Sequence, residues 1–142
     1  MTQTSKKLQL VVDTNVILAS VSRKSVNNWI FQKILDEEID IFISNEILLE
    51  YKEKLSTNFS ETLAKNVIEI FLIADNVYKI IPYFHWNLIN VNKSDNKFVD
   101  CAVASNADYI LTNDKHFKIL KSIKFPRINV INIDEFKKMF KQ

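Results

Sequence analysis

Short apolar runs rich in β-branched residues, alternating with amphipathic helical segments, constrain this chain more than any other feature. Leu8-Gln9-Leu10-Val11-Val12 reads as a central strand, and Ile39-Asp40-Ile41-Phe42-Ile43 as a second. A third run covers residues 77–81 and stops at Pro82. Tyr109-Ile110-Leu111 is bounded by polar residues, as a fully buried strand should be. A last strand is expected over residues 129–133. Between these runs the apolar residues fall at helical spacing. Trp29, Ile30, Ile34 and Leu35 mark one helix. Ile47, Leu48, Tyr51 and Leu55 mark another, over residues 45–55 behind the N-cap Ser44. Leu63, Val67, Ile70 and Phe71 line a helix over 61–74, and Phe98, Val99 and Ala102 line one that Asp95 opens. A short basic helix over 115–121 and a terminal helix over 135–141 complete the pattern. Strands that alternate with helices call for a parallel sheet with helices on both faces. The expectation is one α/β domain spanning residues 1–142, in three layers around a parallel sheet of about five strands.

The chain of 142 residues is 47% hydrophobic and 25% charged, enough for one sizeable core. It contains no glycine. A glycine-rich phosphate loop needs a backbone that approaches phosphate closely, so neither a dinucleotide fingerprint nor a Walker A loop is present. Phosphate chemistry in such a chain must rely on metal or on side chains. A net charge of +2 puts any nucleic-acid binding on local patches. The single cysteine, Cys101, forms no internal disulfide and fits a reducing cytoplasm. It reads as a small core residue. No apolar stretch reaches the roughly 18 residues of a membrane span.

Ligands of such sheets bind beyond the carboxyl ends of the strands, where the strand order reverses. Asp13 and Asp114 both stand at such ends. Asp95 shares the helical face of Phe98, Val99 and Ala102, so it points inward. Asp100 falls nearly opposite and reads as surface charge. On the 45–55 helix, Glu50 flanks the apolar face, while Glu46 and Glu53 lie further round. If the first and fourth strands are neighbours, Asp13, Glu50, Asp95 and Asp114 can converge. Like charges about 4 Å apart repel by roughly 4 kcal/mol at an effective dielectric of 20, so such a cluster calls for divalent cations. Mg²⁺ or Mn²⁺ suits all-oxygen ligands and can activate water for phosphodiester attack. The alternative for Asp13, Asp95 and Asp114 is helix capping, since each precedes a helix. Glu50 alone also reads as a solvated helix residue. His85 and His116 have no partner at metal spacing and read as loop or surface residues. Trp86 reads as a packed loop anchor or a base-stacking ring.

Four segments in order carry a family resemblance. Val11-Val12-Asp13-Thr14-Asn15-Val16 resembles the opening strand of PIN domains. Ser44-Asn45-Glu46-Ile47-Leu48-Leu49-Glu50 resembles their helix ending in an acidic ligand. Asp95-Asn96-Lys97-Phe98-Val99-Asp100-Cys101-Ala102 resembles the third-acid helix. Ala107-Asp108-Tyr109-Ile110-Leu111-Thr112-Asn113-Asp114 resembles the strand that ends in the fourth acid. The resemblance runs from Leu8 to about Ile133 and is closest to bacterial single-domain toxins of toxin–antitoxin systems. It implies a cytoplasmic metal-dependent endoribonuclease acting on single-stranded RNA. Asp13, Glu50, Asp95 and Asp114 would be catalytic and hold Mg²⁺ or Mn²⁺, supported by hydrogen bonds from Asn15 and Thr112. It also implies a homodimer and a small cognate antitoxin. RNA would be held by local cations: Arg23 and Lys24 after the first acid, and Lys93, Lys97, Lys115 and Lys118 around the third and fourth. A PIN-like module that binds RNA or protein without cutting is the other reading. A haloacid-dehalogenase-like phosphatase needs an acid where Asn15 stands.

Overall fold

The computed structural model describes residues 7–140. Five parallel strands, β1 (Leu8–Val12), β2 (Ile39–Ile43), β3 (Val77–Lys79), β4 (Tyr109–Leu111) and β5 (Val130–Ile131), form one sheet in the order β3-β2-β1-β4-β5. Leu8 pairs with Ile39 on one side of β1, and Val12 pairs with Leu111 on the other. The expected parallel α/β sheet of about five strands is therefore present. Leu10, Val11, Val12, Ile110 and Leu111 are fully buried, which is why their runs are apolar without alternation.

The edges differ from the sequence expectation. β3 ends at Lys79, although the Ile80 N–H still donates to the Ile43 carbonyl at 2.7 Å. β5 stops at Ile131 because Asn132 starts a helix. The Asn132 side chain accepts from the Glu135 N–H at 2.8 Å, and the Glu135 side chain accepts from the Asn132 N–H at 2.9 Å. That reciprocal capping box draws Ile133 into the helix instead of the strand.

The helices are α1 (Thr14–Ser20), α2 (Asn28–Leu35), α3 (Asn45–Asn58), α4 (Glu61–Ile73), α5 (Asn96–Ser105) and α6 (Ile133–Phe140). Ser44 and Ser60 cap α3 and α4 through their side chains. The chain walks outward from β1 to β3, recrosses to β4 and leaves the other way to β5. Right-handed crossovers then put α1 to α4 on one face of the sheet. α5 and the 3-10 helix Lys115–Ser122 take the other face. Tyr51, Phe71, Phe98, Phe117 and Phe136 fill the space between layers and are fully buried. No described helix is long and apolar enough to cross a membrane.

Without glycine, left-handed turns fall to other residues. Asn106 ends α5 at φ 55°, and Asn87 and Glu37 adopt φ 51° and 57°. Asparagine tolerates this conformation through local hydrogen bonding.

Asp100 is not the surface charge that its place on the helical wheel suggests. Residues 80–92 form no helix or strand and lie across the outer side of α5. The Trp86 N–H donates to Asp100 Oδ1 at 2.9 Å, and His85 Nδ1 lies 3.0 Å from Oδ2. The Asn96 side chain clasps both backbone groups of Ile89 at 2.9 Å. Asp100 is consequently 5% exposed and holds a strap in place.

Candidate functional site

β1 and β4 are neighbours from which the chain departs in opposite directions, so the crevice beyond their carboxyl ends is a topological switch point. Asp13 follows β1 directly, and its N–H donates to the Leu111 carbonyl at 3.0 Å. The Thr112 hydroxyl donates to Asp13 Oδ2 at 2.7 Å and accepts the Asp114 N–H at 3.0 Å. One hydroxyl thereby sets the spacing of the first and fourth acids. Behind it the Tyr51 hydroxyl donates to the Val12 carbonyl. Burial lifts the Tyr51 pKa well above its ordinary value, so it stays a neutral donor.

A helix-capping aspartate shows itself by accepting a first-turn N–H. The Asp13 and Asp95 side chains accept none, although both stand at helix starts and are 4% and 7% exposed. Asp114 does cap: its Oδ1 accepts the His116 N–H at 2.9 Å. Two of the three aspartates are thus buried with no capping bond to account for them. Glu50 reaches in from α3, where it accepts from the Thr14 hydroxyl and from Lys97 Nζ at 2.6 Å.

Electrostatics record the convergence. Asp13 is pushed up to about 6, by burial first and then by repulsion from Asp95, Asp114 and Glu50, with the Thr112 hydrogen bond opposing. Asp95 is raised by burial and by Asp114 and Glu50, with His116 opposing.

His116 belongs to this group, contrary to its reading as a loop or surface residue. Its Nδ1 lies 3.4 Å from Asp95 Oδ2 and 3.4 Å from Asp114 Oδ1. These distances exceed a strong hydrogen bond. Asp95, Asp114 and His116 each offer a ligand atom, and the three atoms lie within 4.8 Å of one another. The backbone N–H that binds the Asp114 carboxylate carries the His116 ring to the same place.

The remaining expected residues divide. Thr112 supports the acids, as described. The Asn15 side chain is exposed and makes no hydrogen bond to them among the described residues, while its neighbour Thr14 does. Arg23 and Lys24 are exposed on the α1–α2 loop. Lys93 and Lys118 are exposed, and Lys115 lines a groove with Asp114. Lys97 differs from these. Its ammonium is held between Glu50 and the Ser94 carbonyl, each at 2.6 Å, with 13% of its side chain exposed. It is the cation that neutralises Glu50 in this structure. Lys97→Met is expected to lower the melting temperature of the protein in EDTA. The cost is on the order of 2 kcal/mol, less than for a fully buried pair because Glu50 keeps some exposure. The same substitution should enlarge the thermal upshift produced by Mn²⁺, since a competing cation has gone. An unchanged upshift would detach Lys97 from the cation-binding acids.

The family model described as PIN domain matches residues 9–116. A crystal structure of VapBC2 from Rickettsia felis, bound to a DNA fragment from its promoter, matches with a TM-score of 0.62 at 18% identity, over 88% of this chain and 98% of that one. The PIN domain endonuclease Utp24 matches with a TM-score of 0.53 at 18% identity, over 88% and 84% of the two chains. FitAcB from Neisseria gonorrhoeae matches with a TM-score of 0.52 at 17% identity, over 87% and 96%. No curated protein matches the chain in sequence.

Proposed function

The chain belongs to the PIN-domain family, and from its site we propose that it is a divalent-metal-dependent endoribonuclease cutting single-stranded RNA. The observation that carries this reading is the gathering of Asp13, Glu50, Asp95 and Asp114 at the β1–β4 switch point, where Asp13 is held at raised pKa by burial and by the charges of Asp95, Asp114 and Glu50, and Asp95 by burial and by the charges of Asp114 and Glu50. Carboxylates so placed are stable as anions only beside a cation. The donors that come together are carboxylate oxygens from Asp95 and Asp114 and an imidazole nitrogen of His116, with Asp13 and Glu50 outside that trio but close enough for their charges to act on it; the carboxylate majority suits a hard cation. Mg²⁺ or Mn²⁺ bound there would supply Lewis-acid activation of a water and stabilisation of phosphate oxyanions. The protein's own part is positioning. Thr112 fixes the rotamer of Asp13, Thr14 and Lys97 fix Glu50, and the Asp114 cap on the 3-10 helix fixes His116.

The same reading makes the protein the cytoplasmic toxin of a type II toxin–antitoxin pair, working as a homodimer and neutralised by a small cognate antitoxin. Its support is likeness of fold to VapBC2 and FitAcB. Purified protein in EDTA should leave single-stranded RNA intact, and Mg²⁺ or Mn²⁺ should restore cutting. Its expression should arrest growth, and co-expression of a cognate antitoxin should relieve the arrest. RNA bound but uncut in Mn²⁺ would favour a PIN-like binding module instead.

A further inference from the structure

Basic residues recur at every third position after the fourth acid: Lys115, Lys118, Lys121, Lys124 and Arg127. The first three lie on the 3-10 helix Lys115–Ser122. Side chains three apart on a 3-10 helix eclipse, with roughly 6 Å between turns, so these lysines stand in one column. All five cations are exposed. Among the described residues, none of them forms an ion pair.

Three grooves are strung along this column. The first, about 360 Å³, begins at Asp114 and runs past Lys115 and Lys118 to Lys121, with Asp134 and Glu135 also lining it. The second, about 530 Å³, shares Lys121 and Val130 with the first and adds Lys124 and Arg127. The third, about 330 Å³, shares Arg127 and Tyr109 with the second and ends on Trp86 and Phe125. Tyr109 opens β4, so the path starts at the carboxyl ends of the strands and finishes at their opposite ends. At its far end Phe125 is 81% exposed, with its ring centroid 5.7 Å from Trp86, and Phe84 stands 4.6 Å from Trp86 on the same cluster.

We propose that this edge is a track for single-stranded RNA, with phosphates on the ladder from Lys115 to Arg127 and a base stacked on Phe125 at the distal end. The ligand follows from the chemistry. Aligned like charges without partners repel one another until a polyanion threads between them. A column of single charges ending in an exposed ring matches a strand whose bases are unpaired, because base–aromatic stacking is available only to an open base. The track reaches the acids at Asp114, so a strand gripped at Arg127 is led into the crevice. The inference rests on the ribonuclease reading for the identity of its ligand.

Binding of labelled RNA is measured on the full chain in EDTA, where the proposed nuclease does not cut, by anisotropy across a salt series. One oligonucleotide is a trinucleotide. The other has about 16 nucleotides, the upper end of common single-strand site sizes. For the longer RNA, the combined Lys121→Ala, Lys124→Ala and Arg127→Ala variant should weaken binding and flatten the log–log salt slope. Each lost phosphate contact removes about 0.7 from the slope, hence about 2 in all. Phe125→Ala should weaken binding roughly 5- to 150-fold while leaving the slope unchanged. The trinucleotide should bind far more weakly than the longer RNA. Unchanged affinity and slope in the triple variant would overturn the track. So would a Phe125→Ala variant that binds RNA normally but changes oligomeric state, which would give this face to a protein neighbour. Because the readout is binding without cleavage, a protein that binds along the track yet never cuts would overturn the nuclease reading and spare the track.

Discussion

Asp95→Asn is expected to abolish RNA cleavage and leave the metal-free protein at least as stable as wild type. The substitution removes one charge and nearly preserves shape. Asp95 is 7% exposed, accepts no capping hydrogen bond, and touches His116 only at 3.4 Å, so little stabilisation is lost with its charge. Its pKa is raised by burial and by Asp114 and Glu50, so removing the charge relieves repulsion. The fall in cleavage should exceed the roughly 10- to 100-fold that loss of a mere outer-shell partner costs. The melting-temperature rise on adding Mn²⁺ should shrink in the variant. Melting curves with and without Mn²⁺, beside one cleavage assay, decide the matter. If the variant is instead destabilised by about 1 kcal/mol, as a lost helix cap would be, and still cuts RNA, Asp95 is not a metal ligand.

Central strands were legible in the sequence because burial on both faces leaves them few polar positions, Gln9 in β1 and Asp40 in β2. β1, β2 and β4 match their apolar runs residue for residue. The peripheral strands were less so. The strand expected over 129–133 does not reveal that Asn132 and Glu135 cap each other, and the cap ends the strand. Neither does the run over 77–81 show that the strand ends at Lys79, with only the Ile80 N–H reaching β2 beyond it.

For the site, charge type and strand ends were legible, and second neighbours were not. Asp13 and Asp114 were placed by the rule that sheets bind beyond their carboxyl ends, Asp95 by its inward helical face, and Glu50 by its flank position on α3. His116 escaped because its contacts span separate elements: Asp95 is 21 residues away in the chain. Asp100 was misread because a helical wheel describes the helix alone. Its outward face is outward only until the strap of residues 80–92 covers it and supplies the Trp86 N–H. Lys97 was read as an RNA contact from its position beside the third acid, whereas its ammonium lies on Glu50.

Stability of the metal-free protein is expected to fall as pH rises through the acidic range, the opposite of a protein held by ordinary carboxylate salt bridges. Asp13 carries the largest share. Its carboxyl titrates at 3.8 when unfolded and at about 6 when folded. The folded state therefore binds the proton more tightly, and the associated stability is fully present below 3.8 and gone above about 6. At about 1.4 kcal/mol per pKa unit, the loss from Asp13 alone is about 3 kcal/mol. The raised pKa of Asp95 acts in the same direction. His85, raised by its hydrogen bond to Asp100, adds a further loss above its ordinary value of 6.5. Urea unfolding in EDTA at about pH 4 and about pH 7, on wild type and Asp13→Asn, isolates the main contribution. The variant should gain on wild type toward neutral pH. Mn²⁺ should reverse the trend for wild type. A cation that binds only the folded state at a hundred times its Kd stabilises by about 2.7 kcal/mol, and its affinity grows as the carboxylates lose protons. Should the difference between variant and wild type be the same at both pH values, the buried Asp13 carboxyl would not be held at a raised pKa. A cation at this crevice would then lose its electrostatic basis.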